Sequence, residues 1–219
     1  MFGEDAQISA RVRVKICGIT NAADAEAAIA AGADALGFNA YPKSKRYLDL
    51  AAATPWISAL PPLVRKVVVL VNPTWEDAQN AAALPFVSAL QLHGNETPEF
   101  CARLAAHGIR FGKALRALAP DLLAIAAKFS TKTIVLDSAT GDLFGGTGEI
   151  FPWQIARNFL ETHRDLRLVL AGGLTPENVT DAVREIRPFA VDVTTGVESA
   201  PGRKDHALLR DFIQAAHAA

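Results

Sequence analysis

The stretch "VRVKICGIT", residues 12–20, contains the pattern that decides the fold. Apolar and other residues alternate up to the glycine, and such alternation is typical of a β-strand because successive side chains point to opposite faces. The two faces differ in character, with Val12, Val14 and Ile16 on one and Arg13, Lys15 and Cys17 on the other. We therefore predict a strand that carries a cysteine at its C-terminal end.

Short β-branched or apolar runs of this kind recur along the chain, and alanine-rich amphipathic segments separate them. We predict strands at residues 12–17, 35–38, 66–71, 87–93, 110–114, 133–137, 167–171 and 190–194. We predict helices at residues 21–31, 49–60, 74–83, 98–106, 121–128, 152–161, 176–186 and 204–216. Two helices start at "TPE" (Thr97) and "TPEN" (Thr175), where a hydroxyl caps the helix before a proline at its first position. Strands and helices therefore alternate in a βα repeat.

Eight βα units in 219 residues favour a single (β/α)₈ TIM barrel of the α/β class. An open, doubly wound parallel sheet is the competing architecture. No Pro/Gly/Ser-rich linker divides the chain. We therefore expect residues 11–219 to form one barrel domain after an N-terminal tail of residues 1–10.

The composition limits the kinds of partner. Half of the residues are hydrophobic and 21% are charged, as in soluble globular proteins. The formal net charge of −1 provides no basic field for nucleic acid and no polybasic segment for an anionic membrane. Residues 1–10 lack the basic start and apolar run of a signal peptide, and no uncharged stretch reaches membrane-spanning length. We expect a cytoplasmic protein that binds a small molecule, with no nucleic-acid or membrane partner.

The two cysteines, Cys17 and Cys101, belong to no C-x-x-C motif and no Cys/His spacing that would hold zinc. We therefore predict neither a disulfide framework nor a metal site. Cys101 lies inside a predicted helix and is expected to be part of the core. Cys17 is either a small buried filler or a group that transfers protons, since it faces inward beside Lys15, whose charge would favour a thiolate.

Alternation along the other strands places further polar side chains on the face that carries Cys17, and we expect this face to be the inward one. These side chains are Gln91, His93, Asp137, Asp192 and Thr194. Four residues stand at strand ends, where barrel enzymes build their active sites: Cys17, His93, Asp137 and Thr194.

Three of these side chains have both a structural and a chemical interpretation. Asp137 either fixes a loop or acts as a general acid or base. Asp192 has the same alternatives, and it also has a possible partner in Lys15 inside the barrel. For His93 a hydrogen-bonded structural role is favoured over catalysis.

Glycines follow the seventh and eighth predicted strands, in "LAGGL" (residues 170–174) and "TTGVE" (residues 194–198). Gly172, Gly173 and Gly196 either make tight turns or let backbone N–H groups approach an anion. Phosphate sites in barrels commonly use these two loops, so the location favours a phosphate.

Two other loops carry distinctive sequences. "YPKSKRYL", residues 41–48, contains a basic cluster that is either solvated or supplies an arginine, Arg46, to clasp a substrate carboxylate. "GGTGEIF", residues 145–151, is either a flexible loop that passes close to a ligand or a plain linker.

Together these residues resemble the phosphoribosylanthranilate isomerase family, the barrel enzymes of tryptophan biosynthesis. The matching motifs occur in family order from the first strand to the eighth. They are "KICGIT", "ALGF", "KSKRY", "LQLHG", "VLDS", "GGTG", "AGGL" and "DVTTGVE".

The resemblance implies an aldose–ketose isomerase, classed as an intramolecular oxidoreductase, that needs no metal or cofactor. Its reaction is an Amadori rearrangement of N-(5-phosphoribosyl)anthranilate. By the same resemblance Cys17 is the general base and Asp137 the general acid, while Arg46 holds the anthranilate carboxylate. Asp192 would lie near the sugar hydroxyls, and Gln91 and His93 would shape the site. The phosphate would bind at Gly172, Gly173, Thr195 and Gly196.

The partner expected from the resemblance is thus a phosphorylated sugar, bound by a monomer or a homodimer. The alternative is a non-catalytic phosphosugar-binding barrel that keeps the glycines and has lost its chemistry. Binding without turnover would distinguish it.

Overall fold

The structure is a computed structural model that describes residues 11–138 and 152–219. The predicted tail of residues 1–10 and the glycine-rich loop of residues 145–151 lie outside the described residues. Among the described residues, eight parallel strands pair in chain order and close into a barrel, since the last strand pairs with the first. They are β1 (Arg13–Cys17), β2 (Ala35–Asn39), β3 (Arg65–Leu70), β4 (Ala89–Leu92), β5 (Phe111–Arg116), β6 (Thr133–Asp137), β7 (Arg167–Leu170) and β8 (Ala190–Val193). The barrel prediction is confirmed, and the open-sheet alternative is wrong.

Helices alternate with these strands. They are α1 (Ala22–Ala31), α2 (Leu50–Ala59), α3 (Trp75–Ala82), α4 (Pro98–Ala106), α5 (Leu122–Ile125), α6 (Trp153–Thr162), α7 (Val179–Ile186) and α8 (His206–His217). The helix predicted at residues 121–128 is α5 and a 3₁₀ turn, Ala126–Phe129, that continues it.

The two Thr-Pro helix starts have different outcomes. Thr97 caps α4 as predicted, since its hydroxyl accepts a hydrogen bond from the Phe100 N–H at 3.2 Å and Pro98 is the first helical residue. The start of α7 at residue 176 was wrong. Asn178 accepts a hydrogen bond from the Thr175 N–H and donates one to the Gly173 carbonyl, both at 2.9 Å. These bonds hold "TPEN" in a turn, and the helix begins only after it.

Side-chain alternation divides the apolar residues of the strands between two cores. Residues such as Val14, Ile16 and Leu36 pack outward against the helices. Small residues fill the barrel interior, namely Ala35, Val67, Ala89, Ala114, Val135, Val169 and Ala190. Lys15, on the same face of β1 as Cys17, is fully buried and pairs with Asp192. The prediction that the polar face points inward is therefore confirmed.

A two-stranded hairpin follows β8 and was not predicted. It consists of β9 (Glu198–Ala200) and β10 (Arg203–Lys204), and a short 3₁₀ turn, Thr195–Val197, connects it to β8. The Thr20 hydroxyl donates to the Gly202 carbonyl, and the Lys204 N–H donates to the Asp24 carboxylate. The hairpin is thereby fastened to the β1–α1 segment, close to Cys17. Across the described ranges, none of the helices has the length and apolar character needed to span a bilayer.

Candidate active site

Cys17 is the last residue of β1, and the space for its thiol comes from the neighbouring strand. It pairs with Gly37 of β2, and a Cβ placed on Gly37 would lie only 2.6 Å from the Cys17 Sγ. Any larger residue there would displace the sulfur. Both cysteines are buried and free, so no disulfide joins them. Glycine at position 37 thus keeps the thiol at the mouth of the barrel.

A buried ion pair lies beneath Cys17. The Lys15 Nζ donates to the Asp192 Oδ2 at 2.6 Å, across the β1–β8 junction that closes the barrel. Burial alone lowers the pKa of Lys15, but the charges and hydrogen bonds of Asp192 and Cys17 outweigh it and hold the pKa above its usual value. Lys15 is therefore a fixed ammonium that contacts both the carboxylate and the thiol. The structural interpretation of Asp192, a pairing with Lys15, is confirmed.

Gln91, His93 and Asp137 form a hydrogen-bonded chain across the mouth. The Gln91 Nε2 lies 2.9 Å from the His93 Nδ1, and the His93 Nε2 lies 3.1 Å from the Asp137 Oδ2. Because an amide N–H can only donate, this arrangement leaves the Nε2 proton of His93 to donate to Asp137. His93 is thus hydrogen-bonded, as its structural interpretation requires, and one of its bonds is made to the proposed acid. Its role stays a prediction.

Arg46 makes a bidentate contact with Glu198, a residue that the sequence analysis did not single out. Its Nη2 and Nε donate to the Glu198 carboxylate at 2.7 and 2.9 Å, and its Nη2 lies 3.4 Å from the Thr195 hydroxyl. Glu198 in turn accepts from the Lys204 Nζ at 3.2 Å. Burial raises the pKa of Glu198, but Arg46 and Lys204 outweigh it and lower that pKa below its usual value. The carboxylate of Glu198 is therefore well satisfied.

The two glycine loops predicted to bind phosphate lie against each other. Gly172 and Gly173 both adopt positive φ, 84° and 64°, in the left-handed region that favours glycine. A Cβ on Gly172 would lie 2.3 Å from the Ser138 hydroxyl, and one on Gly196 would lie 2.0 Å from the Leu174 carbonyl. Their loops come together at the C-terminal ends of β7 and β8, and the phosphate site predicted there stays a prediction.

Three of the buried oxygens around the mouth make no hydrogen bond to another described residue: Gln91 Oε1, Ser138 Oγ and Asp192 Oδ1. A buried polar atom without a partner costs free energy, so these acceptors suit a ligand rich in hydroxyl groups.

A buried network supports the loop that follows β4. The Lys113 Nζ donates to the Glu96 carboxylate and to the Gly94 carbonyl, both at 2.8 Å. Glu96 also accepts from the Asn72 N–H at 2.9 Å and from the Gly94 N–H at 3.0 Å. A cavity of about 250 Å³ adjoins this network, and His93 and Asp137 are among the residues that line it.

The protein-family model for N-(5'-phosphoribosyl)anthranilate isomerase matches residues 14–215, which is nearly the whole barrel. The chain belongs to this family. The isomerase of that name from Thiobacillus denitrificans is 46% identical over 211 residues, covering 94% of this chain and 98% of the relative. The isomerase from Trichlorobacter lovleyi is 44% identical over 203 residues, covering 93% of this chain and 97% of the relative. The resemblance inferred from the eight motifs is thus confirmed.

Solved structures of the family have the same fold. The phosphoribosyl anthranilate isomerase of Thermotoga maritima superposes with a TM-score of 0.86 at 42% identity, covering 95% of this chain and all of that chain. A second structure, of a phosphoribosyl anthranilate isomerase in complex with reduced 1-(o-carboxyphenylamino)-1-deoxyribulose 5-phosphate, has a TM-score of 0.82 at 40% identity, with the same coverage.

The isomerase-family motifs account for most of the mouth, but sequence reasoning missed the residues that hold it in shape. Gly37 lies within "ALGF", and Glu198 ends "TTGVE". Side-chain alternation along the second strand could have indicated that Gly37 points inward beside Cys17. No signal in the sequence indicated that Glu198 and Lys204 would meet Arg46. The Lys113–Glu96 pair lies on the outer side of the barrel wall, where an apolar residue would be expected.

The other cysteine has the opposite environment from Cys17. Cys101 is fully buried in the core on α4, and burial raises the pKa of its thiol to about 12. It is confirmed as a core residue. In the part of the chain that the structure describes, no three His, Cys, Asp or Glu side chains cluster as metal ligands.

Proposed function

We propose that this protein catalyses the conversion of N-(5-phosphoribosyl)anthranilate to 1-(2-carboxyphenylamino)-1-deoxyribulose 5-phosphate in tryptophan biosynthesis. The observation that carries the proposal is the position of Cys17 and Asp137 at the C-terminal ends of β1 and β6, in a barrel of the isomerase family. Inward side chains at these strand ends meet at one mouth, where a thiol and a carboxyl can divide two proton transfers between them.

Asp137 acts as the general acid. It protonates the furanose ring oxygen, the C1′–O bond breaks, and the open chain becomes a Schiff base with the anthranilate nitrogen. The hydrogen bond from His93, itself held by Gln91, orients the carboxyl toward the ring. Gln91 and His93 are therefore positioning residues for this step.

Cys17 acts as the general base. Its thiolate removes the proton from C2′ of the Schiff base, which becomes an enolamine and then tautomerises to the ketone with a proton gained at C1′. No atom is gained or lost overall. Lys15, which contacts both Cys17 and Asp192, supplies the positive charge that stabilises the thiolate.

The remaining site residues bind the two ends of the substrate. Arg46 contacts the anthranilate carboxylate, and backbone N–H groups around Gly172, Gly173, Thr195 and Gly196 bind the phosphate. Asp192 accepts a hydrogen bond from a sugar hydroxyl through its Oδ1, which has no other partner among the described residues.

The reaction consists of proton transfers within one molecule, so we propose that it needs no cofactor or metal. We also propose that residues 11–219 act as one domain, in the cytoplasm, as a monomer or a homodimer. Dialysis against a chelator should leave the activity unchanged.

The test is a fluorescence assay in which the substrate is generated in situ from anthranilate and phosphoribosyl pyrophosphate. The wild-type protein should convert it rapidly. Asp137→Asn should lower kcat by about 10²- to 10⁴-fold, the usual contribution of a general acid. Asp34→Asn serves as the matched control, because that carboxylate pairs with Arg11 at the opposite end of the barrel.

Substrate binding without turnover by folded wild-type protein would contradict the proposal and indicate the non-catalytic phosphosugar-binding barrel. Near-normal turnover by Asp137→Asn would exclude Asp137 as the acid.

A further inference from the structure

Three charged side chains interact in a row at the barrel mouth: Arg46, Glu198 and Lys204. Arg46 donates to the Glu198 Oε1 through its Nε and to the Glu198 Oε2 through its Nη2, and the Lys204 Nζ also donates to the Oε1 at 3.2 Å. The Lys204 side chain is fully buried, and the Glu198 side chain is 3% exposed. A lysine is rarely buried so completely unless its charge has a use or a partner.

The charges of these three side chains do not cancel. Glu198 alone would neutralise Arg46 and leave little attraction for an anion. Lys204 brings a second positive charge to the same carboxylate, so Arg46, Glu198 and Lys204 together carry a net charge of +1. Cys17 interacts with both Arg46 and Lys204, so this charge attracts an anion most strongly while Cys17 is a neutral thiol. Such a charge in a desolvated site attracts an anion more strongly than it would in water.

The contacts also leave one nitrogen of Arg46 for a ligand. Both Glu198 oxygens engage the Nε and Nη2 edge, and no hydrogen bond between described residues uses Nη1. The Arg46 side chain crosses Gly18, the residue after Cys17, since a Cβ on Gly18 would lie 2.9 Å from the Arg46 Cδ. The guanidinium is thus held rigidly beside the thiol.

We propose that Glu198 and Lys204 are the residues that tune the site for a carboxylate-bearing substrate: Glu198 sets the orientation of Arg46, and Lys204 restores its net positive charge. This inference rests on the proposed function, because it takes the anthranilate carboxylate as the group that Arg46 binds. Both residues act through Arg46 and are positioning residues.

The surroundings of Lys204 offer two competing roles. Its Nζ also donates to the Thr194 carbonyl at 3.0 Å, just after β8, and loss of a purely structural contact there would weaken the binding of both ligands alike. Cys17 also interacts electrostatically with Lys204, and burial lowers the pKa of that lysine while Glu198 and Cys17 oppose the change. If Lys204 served only the Cys17 thiolate, its removal would change kcat and leave carboxylate binding unaffected. Equilibrium binding therefore separates these roles.

The experiment measures the calorimetric Kd of two stable ligands on the purified protein. One is a product analogue, reduced 1-(o-carboxyphenylamino)-1-deoxyribulose 5-phosphate. The other is the same reduced compound without the carboxyl group. Lys204→Met, Lys204→Arg and Glu198→Gln are compared with the wild type. Lys66→Met is the control, because Lys66 is a buried lysine whose ammonium binds the Leu60 and Pro61 carbonyls before β3, at the far end of the barrel.

Lys204→Met should raise the Kd of the carboxylated ligand by about tenfold, as expected for loss of one nearby charge. The Kd of the ligand without the carboxyl group should be unchanged. Lys204→Arg should bind the carboxylated ligand as tightly as the wild type does. Glu198→Gln should bind the carboxylated ligand more weakly, as Lys204→Met does, because Arg46 is no longer oriented. This weakening is expected although the substitution raises the net charge to +2. The control should bind both ligands as the wild type does.

Equal weakening of both ligands by Lys204→Met, or no change in either, would overturn the inference while leaving the proposed function in place. Tighter binding of the carboxylated ligand by Glu198→Gln would show that charge alone matters and would overturn the role of Glu198. Failure of the wild type to bind the carboxylated ligand would overturn the proposed function itself, and this inference with it.

Discussion

At the scale of single residues, Gly37 controls the position of the proposed base. A Cβ there would lie 2.6 Å from the Cys17 Sγ and 3.1 Å from the Lys15 Cε. Both contacts are shorter than packed atoms normally tolerate, so the thiol and the ammonium would have to move together. The chemistry of Cys17 thus depends on the absence of a side chain on the neighbouring strand.

We expect Gly37→Ala to lower kcat by about tenfold or more, because small displacements of a reacting group are costly. The free energy of unfolding should fall by about 1–3 kcal/mol, as for other overpacked cores. Steady-state kinetics with thermal unfolding measures both effects.

Gly108→Ala is the matched control. Gly108 has a φ of 70° but its Cβ would meet no atom within 4 Å, so the substitution should reduce stability and leave kcat unchanged. A Gly37→Ala protein with wild-type kcat would show that the Cys17 thiol is not constrained as described.

At the scale of elements, the hairpin of β9 and β10 ties the end of β8 to α1 and α8. Asp24, on α1, accepts hydrogen bonds from the Lys204 N–H at 2.9 Å and the His206 ring at 2.8 Å. Burial raises the pKa of Asp24, but these bonds and one from Asn21 outweigh it and hold the pKa below its usual value of 3.8. The same carboxylate therefore anchors the hairpin that carries Glu198 and Lys204.

This lowered pKa has a consequence for stability against pH. The ionised Asp24 contributes stability that is fully present above pH 3.8 and is lost as the pH falls through the lower pKa of the folded state. We expect Asp24→Asn to lower the free energy of unfolding by about 1–2 kcal/mol at neutral pH, where charged hydrogen bonds are lost. The gap between variant and wild type should close as the pH falls below 3.8.

Urea unfolding from pH 7 to pH 2 measures this gap. Asp165→Asn is the comparison, because Asp165 pairs with Lys132 on the surface, with both side chains 67% exposed, and its loss should change little. A gap for Asp24→Asn that is constant across this pH range would contradict the assigned role.

The elements show where sequence reasoning succeeded. Alternation predicted the strands and which face of β1 points inward, because Lys15 and Cys17 share one face of that strand while Val14 and Ile16 share the other. It could not predict β9 and β10, because strands of three and two residues carry no periodic pattern. It also failed at "TPEN", where the Asn178 side chain competes with the helix for backbone hydrogen bonds.

At the scale of the whole molecule, barrel closure assembles the site from distant parts of the chain. Lys15 and Asp192 are 177 residues apart, and Arg46 and Glu198 are 152 apart. Side-chain alternation and the positions of the strand ends predicted that Cys17, His93 and Asp137 lie at the same mouth of the barrel. They could not predict which charges would meet there, because pairs such as Arg46 and Glu198 depend on how the loops fold over the barrel.

The measurement that tests the central claim most directly is the single-turnover rate of Cys17→Ala relative to the wild type, with Cys101→Ala as the matched control. If Cys17 removes the C2′ proton, Cys17→Ala should be slower by about 10²- to 10⁴-fold, and Cys101→Ala should react at the wild-type rate. Circular dichroism confirms that each variant is folded. Conversion by folded Cys17→Ala at the wild-type rate would contradict the account.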